Sequence, residues 1–234
     1  MEQDASRLVT ILLPAKNEAA GLQATLDGLP IAGLKDRGLD VEVVLADGHS
    51  TDTTVGIAEA WGARVIVQEG KGKGMGVRSA IPHLRGTYVV MLDADGTYDA
   101  AAIPAIVEEL QNGADVVLGS RFRGRIDQGA MSGTNKLGNR MLSLLASITY
   151  GRRVSDVCTG MWGFKRAALA GLPLTAVHYE LEADLFATSA RTKLRVVELP
   201  IHYAVRHGKS GLNSWKDGLK IGRALVKRRF AKMR

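Results

Sequence analysis

Cysteine occurs once in 234 residues, as Cys158. That excludes an intrachain disulfide and any thiolate cluster on a metal. Aromatic residues make up 5% of the chain, too few to supply the stacking platforms of a single-stranded nucleic-acid binder. Long apolar runs are also absent. The longest, residues 141–150, is interrupted by serines and is too short to cross a bilayer. Met1 is followed by Glu2 and Asp4 and not by a basic and then apolar stretch, so no signal peptide is expected. No Gly-X-Gly-X-X-Gly follows the first expected strand, which disfavours dinucleotide binding. Lys71-Gly72-Lys73-Gly74 lacks the spacing and the Ser/Thr of a P-loop, although its lysines could neutralise phosphate. Acids are scarce at one end: from Arg206 to Arg234, ten Lys or Arg residues face a single acid, Asp217, so this segment alone exceeds the net charge of +7. Such a tail suits an anionic surface, membrane or nucleic acid.

What the chain does have is a regular alternation of strand and helix patterns. With 46% hydrophobic residues, it can bury the core of one large α/β domain. Strands are expected at residues 8–13, 41–46, 64–67, 87–92 and 114–118. Helices are expected between them at 18–29 (N-capped by Asn17), from Ser50 or Thr51 to 60, at 73–84 and at 100–111. Strands separated by helices of this length indicate a mostly parallel sheet covered on both faces. Beyond Arg121 the rhythm changes. Residues 122–133 read as a mobile loop and 134–149 as an amphipathic helix with Leu137, Met141, Leu144, Leu145 and Ile148 on one side. A short strand is expected at 161–164, a helix at 181–192, and an edge strand at 196–205 interrupted by Pro200. From Trp215 a helix places Trp215, Leu219, Gly222, Leu225 and Val226 in one stripe flanked by basic residues. The expected division is residues 1–213 for the catalytic domain and 214–234 for this basic amphipathic helix.

The most informative motif is Asp93-Ala94-Asp95, at the end of the apolar run Tyr88-Val89-Val90-Met91-Leu92 and followed by Gly96-Thr97. In open α/β sheets ligands bind beyond the carboxyl ends of the strands. Two carboxylates one residue apart repel unless a cation sits between them, and Mg²⁺ or Mn²⁺ completes its shell with water and substrate phosphates. The competing reading is a helix start capped by Asp95 or Asp99. Three other expected strands end similarly, in Pro14-Ala15-Lys16-Asn17-Glu18, Asp47-Gly48-His49-Ser50 and Gly119-Ser120-Arg121. Four polar ends along one sheet edge make a crevice that fits a nucleotide, with Asp47 accepting from base or ribose and the backbone near Pro14 flanking the ring.

These motifs in order, with Asp47 through Thr54 and Gly72-Lys73-Gly74, resemble the signature of family 2 glycosyltransferases of GT-A fold. Asp156-Val157-Cys158-Thr159-Gly160-Met161-Trp162-Gly163-Phe164, Glu182, Glu198-Leu199-Pro200-Ile201-His202-Tyr203 and Arg206-His207-Gly208-Lys209-Ser210 are similar to the polyprenyl/dolichyl-phosphate sugar synthase branch. The resemblance spans residues 8–213. It implies a Rossmann-like, mostly parallel sheet flanked by helices and an inverting transfer of a sugar from a UDP- or GDP-linked donor to a polyprenyl or dolichyl phosphate. It implies that Pro14, Ala15, Asn17, Glu18, Asp47, Lys73, Asp93 and Ala94 hold the donor, and that Asp93 and Asp95 hold Mg²⁺ or Mn²⁺. Asp95, Arg121, Glu182 and Arg206 would be catalytic, and Arg121, Asn135, Arg206 and Lys209 would meet the acceptor phosphate. Relatives often carry Gln or another ligand where Thr97 stands, and Ser-Lys-Leu where this chain has Ser210-Gly211-Leu212. A phosphate acceptor arrives anionic and needs cations; a hydroxyl acceptor needs a base, for which Glu182 is the candidate. The protein is expected on the cytoplasmic face of a membrane, peripherally bound, alone as a homo-oligomer or with a membrane-anchoring subunit. The alternatives are a soluble-acceptor transferase using Glu182, and a basic nucleic-acid-binding protein. The last leaves the strand-end acids unexplained, and those acids would repel a polynucleotide.

Overall fold

The computed structural model describes residues 7–206, 208 and 214–232. Seven strands form one sheet: β1 (Leu8–Ala15), β2 (Asp40–Asp47), β3 (Arg64–Val67), β4 (Tyr88–Met91), β5 (Val116–Ile126), β6 (Trp162–Lys165) and β7 (Val196–Tyr203). Their order is β3-β2-β1-β4-β6-β5-β7, and only β6 runs antiparallel to its neighbours. The helices are α1 (Ala19–Asp27), α2 (Ile31–Asp36), α3 (Thr54–Trp61), α4 (Lys73–Ala80), α5 (Ile103–Gln111), α6 (Gly133–Tyr150), α7 (Arg166–Ala170), α8 (Leu181–Arg191) and α9 (Ser214–Phe230).

Alternation along β1 builds both layers. Val9, Ile11 and Leu13 enter one apolar cluster with Leu22, Leu26, Leu34, Ile103 and Ile106, whereas Leu12 enters the other with Val77, Phe186 and Leu225. Each face of the sheet is therefore covered by helices. Gly163 allows α5 to lie directly on β6, since a Cβ there would come 2.2 Å from Ile106 Cγ2.

Three expectations need correction. First, β5 does not stop at Leu118. It continues to Ile126 through an irregularity between Ser120 and Arg125, and Arg125 and Ile126 pair with His202 and Tyr203 of the edge strand β7. The Gly- and Arg-rich stretch that looked like loop is strand because its backbone finds β7, and Gly124 packs where a Cβ would meet Ile201 O at 2.0 Å. Second, the apolar side expected on α6 is split. Leu142, Leu145 and the fully buried Ala146 pack inward, while Leu137, Met141, Leu144 and Ile148 are exposed. Third, α9 is buried through Ile221 and Leu225, with Gly222 against Leu142 and Leu145 of α6. Tyr150 Oη donates to Leu225 O at 2.7 Å, and Arg228 pairs with Asp184 of α8. Leu219 and Val226, placed in the same stripe as Leu225 by periodicity, are exposed. The side chains of Trp215 and Lys216, and the whole of Lys209, lie outside the described residues.

Candidate active site

The ends of β1 and β2 are level, with Ala15 opposite Asp47, and the loops beyond them interlock. Asn17 adopts a left-handed backbone (φ 56°) and is not the N-cap of α1. Its Oδ1 accepts from Thr51 N at 2.8 Å, and its own N–H donates to Ser50 Oγ at 3.0 Å. The free donors at the start of α1 are met instead by the neighbouring loop: Glu18 N donates to Thr54 Oγ1 at 2.9 Å and Ala19 N to Asp52 Oδ2 at 3.2 Å. Asp52 Oδ1 also accepts from Thr54 N at 3.0 Å, so Asp52, not Ser50 or Thr51, serves both helix starts. Asp47 is buried, and its carboxylate accepts from Ser50 N. The lock fixes the backbone of Glu18 over the crevice.

Across the crevice, β4 ends and Asp93-Ala94-Asp95 follows. Asp95 Oδ1 accepts from Thr97 N at 3.0 Å and Thr97 Oγ1 at 2.6 Å, so Thr97 orients Asp95. Asp99, not Asp95, takes the capping role, accepting from Ala101 N at 2.9 Å. Arg206 reaches both Glu18 (2.5 Å) and Asp95 (3.0 Å). Lys73, in the first turn of α4, reaches both Asp93 (2.5 Å) and Glu182 of α8 (2.6 Å). Two triads, Glu18–Arg206–Asp95 and Asp93–Lys73–Glu182, thus bring four carboxylates together with two cations. Burial, Asp95 and Asp93 push Glu18 up to about 7 against the pull of Arg206. Burial likewise raises Glu182, opposed by Lys73, and raises Asp95, with Asp93 adding to the effect.

Glycines bring these groups together. A Cβ on Gly21 would sit 2.6 Å from the backbone of Asp95, and one on Gly160 would sit 2.4 Å from Asp93 Oδ2. Gly72 has φ 106° and abuts His178, so the Lys71 to Gly74 segment packs against the approach to α8.

Arg121, expected to face phosphate, is buried in a two-pronged pair with Asp156: Nε to Oδ2 and Nη2 to Oδ1, each 2.7 Å. Its guanidinium also lies over the Tyr203 ring at 5.2 Å. Tyr203 meets Tyr98 edge-on, and Tyr98 Oη accepts from Gly160 N at 2.6 Å. Tyr98 carries no signal in the sequence pattern, and Asp156 and Gly160 stand in the Asp156 to Phe164 motif with no role implied for either. The polar start of the Asp156 to Phe164 motif was the one signal available for Asp156. Asn135 sits in the first turn of α6, its N–H on Ser132 Oγ, and among the described residues no contact joins it to the crevice acids. Pro14 and Ala15 line the end of β1, and Ala94 is buried between the two aspartates.

The donor set suits a hard divalent cation. Among the described residues no three His, Cys, Asp or Glu side chains converge on one metal position. A cation between Asp93 and Asp95 would therefore complete its shell with water and phosphate oxygens, as Mg²⁺ and Mn²⁺ do. Its positive charge would offset the surplus of carboxylates over cations. Arg206 Nε is buried with no hydrogen-bond partner among the described residues.

Residues 10–172 match the profile of Glycosyl transferase family 2. The chain is 37% identical over 188 residues to a dolichyl-phosphate hexose transferase of Haloferax volcanii, covering 80% of each protein. It is 34% identical over 219 residues to the low-salt glycan biosynthesis hexosyltransferase Agl6 of the same organism, covering 93% of this chain but 52% of that protein, so the chain spans about half of Agl6. Among solved structures it matches glucosyl-3-phosphoglycerate synthase from Mycobacterium tuberculosis, in complex with Mn²⁺, UDP-glucose and phosphoglyceric acid. The TM-score is 0.76 at 25% identity, covering 97% of this chain and 82% of that one.

Proposed function

The chain belongs to glycosyl transferase family 2, and from that premise we propose that it moves a hexosyl group, with inversion, from a nucleotide-diphosphate sugar to a lipid-linked phosphate. The observation that carries the reading is the unbalanced cluster at the strand ends, Glu18, Asp93, Asp95 and Glu182 against Lys73 and Arg206. The nucleoside lies at the ends of β1 and β2, among Pro14, Ala15, Asn17, Glu18 and Asp47, and the diphosphate reaches Asp93 and Asp95. These two aspartates would hold a divalent cation, which when bound would neutralise charge on the leaving diphosphate. Arg206 exchanges carboxylate for phosphate contacts as the donor enters, its Nε having no hydrogen-bond partner among the described residues. Lys73 holds Asp93 in place and faces the same charge. Arg121, closed on Asp156, acts as a positioning residue for the Tyr98–Gly160 wall beside Asp93.

Lipid phosphate is favoured over a hydroxyl because Glu182 is fixed on Lys73 and buried, whereas a phosphate acceptor needs no base. The Haloferax dolichyl-phosphate hexose transferase supports this acceptor class. The second reading, a soluble acceptor with Glu182 as base, is favoured by the likeness to glucosyl-3-phosphoglycerate synthase. The test is a thermal-shift screen of UDP- and GDP-sugars with and without Mn²⁺, followed by transfer assays to a polyprenyl phosphate and to phosphoglyceric acid. Mn²⁺-dependent stabilisation by one donor and transfer to the lipid phosphate are expected. Transfer to phosphoglyceric acid alone would replace the first reading with the second.

A further inference from the structure

Of the nine large hydrophobic side chains exposed among the described residues, seven lie on two adjoining helices. On α6, Leu137, Met141, Leu144 and Ile148 are 61–73% exposed, at spacings of four, three and four residues. At about 100° per residue they form one stripe on the side away from the buried Ser143 and Ala146. On α9, Leu219, Val226 and Phe230 form a second stripe, away from the buried Ile221 and Leu225. The seam between the helices is closed by Gly222 on Leu142 and Leu145 and by Arg229 Nε on Thr149 O at 3.1 Å. Gly222 lies about 40° around α9 from Val226, so the second stripe borders the seam on its outer side. The two stripes therefore make one outward surface.

Charge identifies the occupant. α6 carries Lys136 and Arg140 and no acid. The described part of α9 carries Lys220, Arg223 and Lys227 beside its stripe, with Asp217 its one acid. We propose that the α6–α9 face docks on an anionic lipid bilayer, its apolar stripes entering the headgroup boundary and its cations meeting lipid phosphate. A second copy of the chain would bring the same cations face to face. The face extends the lipid-linked acceptor reading by placing the enzyme on the surface where such a substrate is confined.

The test is sedimentation of the full chain with phosphatidylcholine vesicles, with or without phosphatidylglycerol, at low salt. Binding to the anionic vesicles alone is expected, together with a loss of about tenfold or more in M141E/L144E and in L219E/F230E. Wild-type binding by M141E/L144E would overturn the proposal, because tail charge alone would then suffice. Failure of the wild type to bind anionic vesicles would also overturn it. So would a dimer-to-monomer shift by light scattering in M141E/L144E with vesicle binding unchanged, which would assign the face to a second copy. The acceptor reading fails separately: a protein that binds vesicles through this face but glycosylates only phosphoglyceric acid keeps the docking face and loses the lipid acceptor.

Discussion

Two groups of buried charge stand beside the crevice, and they are balanced differently. Arg121 and Asp156 form a one-to-one pair, at 7% and 0% side-chain exposure, with both prongs of the guanidinium on one carboxylate. The cluster around Asp93 has four carboxylates for two cations, keeps access to water at Lys73, Asp93 and Arg206, and leaves a buried guanidinium donor without a partner among the described residues. A closed pair is complete within the fold and can only be weakened by a ligand. An open cluster holds excess charge that a ligand relieves, and the excess is displayed in Glu18, which burial and its acidic neighbours raise to about 7. Charge that does not sum to zero separates the candidate site from a structural ion pair that has the same residue types.

Breaking the closed pair should have the largest effect on stability. Asp156→Ala strands Arg121 in the interior and is expected to cost about 3–5 kcal/mol, read from the shift in a urea transition. A loss under about 1 kcal/mol would mean that Arg121 swings out to water and that the pair is not closed. Breaking the open cluster should instead show in catalysis. Asp95→Asn keeps the shape and the Thr97 contact but removes charge from the cation site, and turnover is expected to fall by about 10²–10³ while the urea midpoint stays near wild type. Full turnover by this variant, or by the wild type in excess chelator, would remove the metal from the reading. Glu182→Gln sharpens the comparison because it reduces the excess charge without emptying the site. Without ligand it should raise the melting temperature at pH 8 and do so less at pH 5, since Glu182 has a raised folded pKa and carries its proton more readily at low pH. A lower melting temperature at both pH values would make Glu182 part of a closed network like Asp156.

The smallest expected effect is the pH slope of Glu18. Its folded pKa of about 7 lies above the ordinary 4.5, so between those values the native state binds more protons than the unfolded state. Stability therefore falls as pH rises through this window. Thermal melts of the ligand-free protein from pH 5 to pH 7.5 should show that decline, Glu18→Gln should flatten it, and Asp156→Asn should leave it in place. An unchanged slope in Glu18→Gln would detach Glu18 from the excess charge.

Alternation and helical periodicity are local patterns, and they placed most of the chain correctly. All seven strands apart from the far half of β5, the cover on both faces, the edge position of β7 beside Pro200 and the acids at strand ends were legible because each depends on the residues of one segment. The Asp93-Ala94-Asp95 motif was legible for the same reason, as two acids closing a buried strand. Partners far apart in sequence were not. Nothing near Arg121 in sequence announces its pair with Asp156, and nothing near Asn17 shows that the donors of α1 are met from the β2–α3 loop. The strand character of residues 122–126 depends on β7, more than seventy positions away.

The sequence by itself determined the α/β alternation, the row of polar strand ends and the basic character of the C-terminal segment. Those follow from residue spacing and composition, which need no partner. Only the tertiary structure decided which cations close on which acids, that β6 enters antiparallel between β4 and β5, and which side of α6 and of α9 faces out. An amphipathic helix specifies that an apolar side exists, but the width of that side exceeds one contact. Packing of α9 on α6 and α8 took Ile221 and Leu225 inward and left Leu219, Val226 and Phe230 outside, because a helix can bury only the arc its neighbours reach.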